Sequence, residues 1–383
     1  MTEFPTLAWS DAGAIHEVRW RSEAGVPPPK RVVVADDTTT ADAAYRLACE
    51  GTALLWRGDF QNARQLLQAM NRRAERKSRK PAAAPLDAFN QHRQAQAQRA
   101  RTLGMLLIPL EADYTIALRR APDVKAACEE AYGPPAAANG GSAASAVSLR
   151  ELLGLIGAHE WRRKGVEIPA LNARIHPHYG VFSPVRGEYI DLVARASLPP
   201  ASLDLAFDIG TGTGVLAAVL ASRGVKRVVA TDQDPRALAC ARENVERLGY
   251  AQQIDVIEAD LFPPGRAPLV VCNPPWVPAR PSSPIEHAVF DPDSRMLRGF
   301  LDGLRDHLAP GGEGWLILSD FAEHLGLRSR EMLVDAIANA GLDVAGREDI
   351  RPRHPKSADP ADPLFKARAA EVTSLWRLKV KSA

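Results

Sequence analysis

The stretch Leu205-Ala206-Phe207-Asp208-Ile209-Gly210-Thr211-Gly212-Thr213-Gly214 decides how the second half of this 383-residue chain folds. An apolar run of strand character ends in a turn with glycine at every second position, and Val215–Arg223 then reads as a helix. With no Cβ in the way, backbone at such a turn can approach a ligand closely. A second strand, Arg227–Thr231, is closed by Asp232, where a carboxylate can accept both hydroxyls of a ribose. This much also fits a dinucleotide-binding domain. Two details shift the balance away from it. The spacing is G-x-G-x-G rather than G-x-G-x-x-G, and Asp208 precedes the turn, where its charge opposes a pyrophosphate but suits a cationic amine.

Outward from this turn the pattern is regular alternation. Strands are expected at Leu205–Ile209, Arg227–Thr231, Asp255–Ala259, Leu269–Cys272, Gly314–Ser319, Leu342–Arg347 and Val372–Val380. Helical stretches such as Asp234–Leu248 and Leu327–Ala340 lie between most of them. Units of this length imply a doubly wound, mostly parallel α/β sheet with helices on both faces.

The fourth of these strands runs into Asn273-Pro274-Pro275-Trp276. An amide or exocyclic amine is a poor nucleophile, because its lone pair is delocalised into the adjoining π system. Two acceptors, the Asn273 side-chain oxygen and the Pro274 carbonyl, can hold its N–H groups and favour a pyramidal nitrogen. Prolines at 274 and 275 fix φ and so preorganise those acceptors. Trp276 offers a flat face to a planar group, worth about 1–3 kcal/mol per stacked base. The bland alternative is a rigid strand-to-loop turn with a buried Trp. The other Pro-Pro pairs (27–28, 134–135, 199–200 and 263–264) do not follow an Asn at a strand end.

With these pieces in place, the region from Tyr179 to Val380 resembles the class I S-adenosylmethionine-dependent methyltransferases with an Asn-Pro-Pro-(Tyr/Phe/Trp) turn. It is similar to two groups of them. Thr231–Leu238, Ala241–Gly249 and Asp260-Leu261-Phe262 look like the release-factor glutamine methyltransferases, as does Leu308-Ala309-Pro310-Gly311-Gly312. Tyr179-Gly180-Val181-Phe182-Ser183 looks more like the ribosomal RNA guanine-N2 enzymes, where such a segment closes over the donor. The resemblance implies a Rossmann-like domain ending in an antiparallel hairpin, with S-adenosyl-L-methionine as cofactor. It also implies that Asp208, Gly210, Gly212, Asp232, Asp260 and Leu261 contact the donor, Asp260 accepting from the adenine amino group and Leu261 packing on its ring. Asn273, Pro274 and Trp276 would meet the target, and no metal is implied. For Asp260 an ordinary loop-capping role is the competing reading. Many relatives have Tyr or Phe where this chain has Trp276, and the insert Arg351–Ala370 lengthens the closing hairpin.

The rest of the chain says less. Residues 134–147 follow Gly133 with Pro134-Pro135 and a run of small residues, and read as a linker. They divide an N-terminal substrate-recognition region (1–133), helical or α/β, from the methyltransferase domain (148–383) with its upstream segment 148–200. Arg31–Ala35 reads as a strand and Thr38–Leu55 as a helix. Ser148 and Glu151 have capping-box spacing. The formal charge of +2 argues against a whole-surface nucleic-acid or membrane binder. It hides ten Lys/Arg against two acids between Gln61 and Arg101, densest over Arg72–Lys80, and a second basic group at Arg351, Arg353, His354 and Lys356. Four cysteines without metal-ligand spacing fit a reducing cytoplasm. No run approaches ~18 apolar residues, so no membrane span is expected. Glu286 and His287 are assigned to loop structure and Cys272 to the apolar strand.

The expectation is thus an N-methyltransferase acting on a planar amino or amide nitrogen. The basic groups and the Tyr179–Ser183 segment favour a nucleobase in RNA or DNA as partner. The rivals are a protein glutamine, a small molecule, and a silent adenosylmethionine-binding scaffold.

Overall fold

The computed structural model describes residues 4–382, apart from positions 12, 76–81, 83, 136–143, 186, 282–285, 287 and 354–357. Most of the linker read between the domains, the densest part of the basic tract, His287, His354 and Lys356 therefore lie outside the described residues. The chain forms two compact units, residues 1–81 with 90–160, and residues 82–89 with 161–383.

The N-terminal unit contains β1 (Thr6–Asp11), β2 (Ala14–Arg21), β3 (Arg31–Ala35), α1 (Ala41–Cys49), β4 (Thr52–Trp56), α2 (Phe60–Glu75), α3 (Pro85–Leu103, which begins in the other unit), β5 (Leu106–Leu110), α4 (Lys125–Tyr132) and β6 (Ser145–Ser148). Its six-stranded sheet has the order β1-β2-β6-β5-β4-β3, so the region is α/β. The expected helix over Thr38–Leu55 is only half right. Thr40 caps α1 by accepting from the Ala43 amide, but Gly51 at φ +79 ends the helical course. Leu54, Leu55 and Trp56 are then buried as a strand between two neighbours. Nor do Ser148 and Glu151 form a capping box. Glu151 accepts from the Glu23 amide and the Tyr132 hydroxyl, and the Ser148 hydroxyl is buried without a partner. From Ser148 the chain continues into α5 (Leu149–Lys164).

The larger unit runs β7 (Val166–Ile168), β8 (Ala173–Ile175), α6 (Glu188–Arg195), β9 (Ala206–Ile209), α7 (Val215–Ser222), β10 (Val228–Asp232), α8 (Pro235–Arg247), β11 (Ile254–Glu258), β12 (Ala267–Cys272), α9 (Arg295–His307), β13 (Leu308–Ser319), α10 (Phe321–His324), α11 (Arg330–Asn339), β14 (Leu342–Ile350), α12 (Phe365–Ala370) and β15 (Thr373–Val380). Strands β9 to β15 make one sheet in the order β11-β10-β9-β12-β13-β15-β14, parallel except for β15. The expected strands are all present, each within a few residues, apart from an early start to β13. There Leu308 pairs with Ala267 and Glu313 with Leu269, so Pro310-Gly311-Gly312 is the extra length of a register shift.

The strands read as nearly continuous apolar runs because both faces of the sheet are covered. Ala206, Val228, Ala230, Val271 and Ile317 pack with α6 and α7 on one face. Phe207, Ile209, Val229, Val270 and Cys272 pack with α9 and α11 on the other. A half-buried Trp276 borders both cores. Among the described residues no helix is long and apolar enough to cross a membrane.

Candidate active site

The strand order reverses between β9 and β12, where the chain has wound first one way and then the other. In open α/β sheets the ligand crevice lies outside the carboxyl ends of the strands at such a switch point. Both quoted turns leave the sheet here. Ile209 pairs with Thr231 on one side and with Cys272 on the other, so Asp232, Gly210 and Asn273 emerge level with one another from adjacent strands. Neighbouring strands lie about 4.8 Å apart.

The glycine turn is shaped by its acids. Asp208 is 1% exposed; its Oδ2 accepts from the Thr211 hydroxyl at 2.6 Å and from the Ala217 amide at 3.0 Å, tying the turn to the first turn of α7. Burial raises its pKa to about 6, partly offset by those hydrogen bonds. Asp232 accepts from the Gly212 amide at 3.0 Å through Oδ2 and from the Asp234 amide through Oδ1, and burial again raises its pKa. Gly212 and Gly214 both have positive φ, +56 and +79, but face different surroundings. A Cβ on Gly214 would meet Ala241 of α8 at 3.3–3.4 Å, whereas a Cβ on Gly212 would enter open space.

The residues fit the methyl donor that the resemblance implies. The open side of Gly212 is a cradle that a Cβ would fill. A carboxylate has about four lone-pair sites, and the Gly212 and Asp234 amides take one on each Asp232 oxygen, leaving room for a diol. A buried and a half-buried acid beside one turn repel a pyrophosphate and attract an ammonium or sulfonium.

Asp260 and Leu261 follow β11 on the same side of the sheet. Asp260 is exposed and its Oδ2 receives Arg295 Nη2 at 3.0 Å. Leu261 adopts φ +74, where the Thr231 hydroxyl donates to its carbonyl, and it packs so closely on α9 that a Cβ at position 299 would meet its Cδ1 at 2.6 Å. Arg295, Met296 and Gly299 thus border the crevice, Met296 lying against Gly210. The sequence reading missed all three, because they lie on α9 and reach Asp260, Gly210 and Leu261 only through the fold.

The turn after β12 holds Pro274 buried with Asn273 and Trp276 half-buried. The Trp276 indole Nε1–H donates to Asn273 Oδ1 at 2.9 Å. Beside it, Val277, Phe321, Leu325, Leu364 and Ala367 form an apolar cluster, so the insert Arg351–Ala370 returns through α12 to the neighbourhood of Trp276. Cys272 is fully buried in the strand, and burial pushes its thiol well up. Among the described residues no three His, Cys, Asp or Glu side chains stand together as metal ligands.

A second layer of contacts anchors the segment before α6. His176 N donates to Asn244 Oδ1 at 2.7 Å, while Asn244 Nδ2 donates to the Thr213 carbonyl in the glycine turn. His178 Nε2 lies 2.6 Å from Glu243 Oε2, which Arg162 also meets at 2.7 Å. Val181 is buried with Ala237 and Cys240 of α8. The Tyr179–Ser183 stretch is therefore held against α8, close to the turn. Its signal was the Glu243-Asn244 pair, whose partners are invisible without the fold.

Residues 172–333 match the family model of the methyltransferase small domain. The chain is 38% identical over 110 residues to the release factor glutamine methyltransferase of Cereibacter sphaeroides, which covers 28% of this chain and 36% of that protein. It is 35% identical over 145 residues to the ribosomal protein L11 methyltransferase of Pelotomaculum thermopropionicum, covering 37% and 39%. Among solved structures, the ribosomal protein L11 methylase of Lactobacillus delbrueckii subsp. bulgaricus superposes with a TM-score of 0.38 at 18% identity, over 56% of this chain and 91% of that one. The chain spans less than two fifths of the length of the two curated relatives. The segment that matches this family model, residues 172–333, supplies both turns of the crevice.

Proposed function

We propose that this protein is an S-adenosyl-L-methionine-dependent N-methyltransferase acting on a planar amide or amino nitrogen. The observation that carries the reading is the placement of Asn273 at the carboxyl end of β12, level with Gly210 of the donor turn on the adjoining strand. The donor supplies an electrophilic methyl on a sulfonium with an excellent leaving group, so the protein's task is orientation. Gly210 and Gly212 admit the donor to the backbone, Asp232 holds its ribose and Asp208 faces its ammonium. Asp260 and Leu261 meet its adenine, and Asp260 must then share or release Arg295. On the acceptor side, Asn273 Oδ1 and the Pro274 carbonyl take the N–H groups of the target while Trp276 lines its plane. A dedicated base is unnecessary, because the nitrogen turns acidic only once it is methylated.

For the acceptor we favour a side-chain amide of a protein, with the N-terminal unit selecting it. The curated relatives carry the names of enzymes that act on a release-factor glutamine and on ribosomal protein L11. In the basic tract, Arg73 is turned to Asp42 at 2.6 Å and Arg99 to Glu75 at 2.8 Å, which weakens the case for a phosphate grip. One observation favours a nucleobase as the second reading. Strand β14 runs parallel to β13, so exposed Arg351 and Arg353 leave the sheet at its active-site end.

The test is transfer of radiolabelled methyl from adenosylmethionine into a lysate of cells lacking this gene, with Asn273→Ala as control. Label removed by protease supports the amide. Label removed by nuclease replaces it with the nucleobase, and no label above the control overturns both.

A further inference from the structure

The oxygen that the target nitrogen needs already has a partner. Asn273 Oδ1 accepts from Trp276 Nε1–H at 2.9 Å, across three residues of the same turn. A carboxamide turns readily about its last bond, which is broad and roughly two-fold, and so can exchange its oxygen for its NH2. With the NH2 facing the crevice it would present N–H to N–H, and the target would lose the group that holds it. An indole N–H can only donate, so it matches the oxygen and clashes with the NH2. It therefore selects one of the two orientations. The carbonyl oxygen has two lone pairs, and one remains for the target.

The indole is itself held in place. It borders both faces of the central sheet and the apolar cluster of Val277, Phe321, Leu325 and Leu364. Phenylalanine in its place would have no donor, and a tyrosine hydroxyl sits at the far end of its ring. Tryptophan alone of the three combines a flat face with a donor on its near edge.

We propose that Trp276 is a positioning residue that locks the Asn273 carboxamide with its oxygen toward the acceptor nitrogen, separately from any stacking by its ring. The inference rests on the methyl-transfer reading above.

The decisive variant replaces Trp276 in the full chain with benzothienylalanine, which keeps the two fused rings and puts sulfur where the N–H stood. The probe is the methyl-accepting fraction of the lysate, followed in single turnovers at saturating donor. Loss of one hydrogen bond lowers the maximal rate about three- to tenfold, with the half-saturating acceptor concentration, the donor Kd and the melting temperature unchanged. The Asn273 side-chain amide, observed by NMR in protein carrying 15N-asparagine, is a single sharp pair in the wild type and broadens or doubles in the analogue. Trp276→Phe loses at least as much rate. A wild-type rate and an unchanged amide signal in the analogue overturn the positioning role while Asn273→Ala still slows transfer about a hundredfold or more. Transfer retained by Asn273→Ala overturns the methyl-transfer reading of the turn, and the positioning role with it.

Discussion

Alanine at two glycines only two positions apart should separate binding from stability. Gly212 and Gly214 both sit at positive φ, so alanine at either carries a left-handed strain of about 1–2 kcal/mol. The surroundings then divide them. At Gly214 the new methyl meets Ala241 Cα, Cβ and carbonyl oxygen at 3.3–3.4 Å, all on or next to the backbone of α8, which must shift. Overpacking of this kind adds about 1–3 kcal/mol. At about 2–4 °C per kcal/mol for a unit of this size, Gly214→Ala melts roughly 4–20 °C below wild type. At Gly212 the methyl meets no protein atom within 4 Å, so the loss is the strain alone, about 2–8 °C. Its methyl instead occupies the side from which the donor approaches. A comparable clash there weakens the donor by roughly five- to hundredfold in Kd. The assay pairs calorimetric titration of adenosylmethionine with thermal denaturation. Gly212→Ala binding the donor like wild type, or Gly214→Ala losing it while folded, refutes the assignment of the crevice to this face of the turn.

Further outcomes follow from the acids. Asp232→Ala removes the ribose acceptor and should weaken the donor about a hundredfold by titration, since hydrogen bonds to charged groups are worth about 1.5–3 kcal/mol. Asp208 has a raised pKa of about 6. It is neutral below that pH and charged above it, so its attraction for the donor ammonium is present at pH 7–8 and fades as pH falls through about 6. Titrations at pH 5 to 8 should show this slope, and Asp208→Asn should abolish it. Glu243 is the opposite case: although burial alone would raise its pKa, His178, Arg247 and Arg162 together depress it to about 2. A depressed carboxyl contributes stability that is present above its unfolded pKa, near 4.5, and lost as pH falls toward about 2. Glu243→Gln should therefore flatten the acid limb of a plot of melting temperature against pH and loosen the segment around His178.

Much of this was legible in the sequence because both faces of the central sheet are buried. Val270, Val271 and Cys272 had to be apolar on each side, so the strand stood out as a run, and its end at Asn273 was sharp. The glycine turn was legible for a related reason, since a positive φ at three alternate positions leaves few residue types to choose from. In the N-terminal unit the same logic misled. Leu54-Leu55-Trp56 follows within a few residues of an amphipathic helix, and the turn between helix and strand is marked only by Gly51, a weak signal in a line of text. Contacts set by the fold were out of reach. Arg295 meets Asp260 across thirty-five positions, and His176 meets Asn244 across sixty-eight. The Trp276–Asn273 bond is local, yet the sequence offers Trp276 only as a flat face, because the direction in which its indole N–H points is set by the fold.

The measurement that bears most directly on the central claim is a single-turnover assay of Asn273→Ala against wild type, with donor occupancy determined in the same samples. Losing the acceptor for the target N–H should slow transfer about a hundred- to a thousandfold, while adenosylmethionine binds both proteins within about twofold, well under the 1.4 kcal/mol of a tenfold change. Equal rates at equal occupancy, or a variant that no longer binds the donor, would contradict the account.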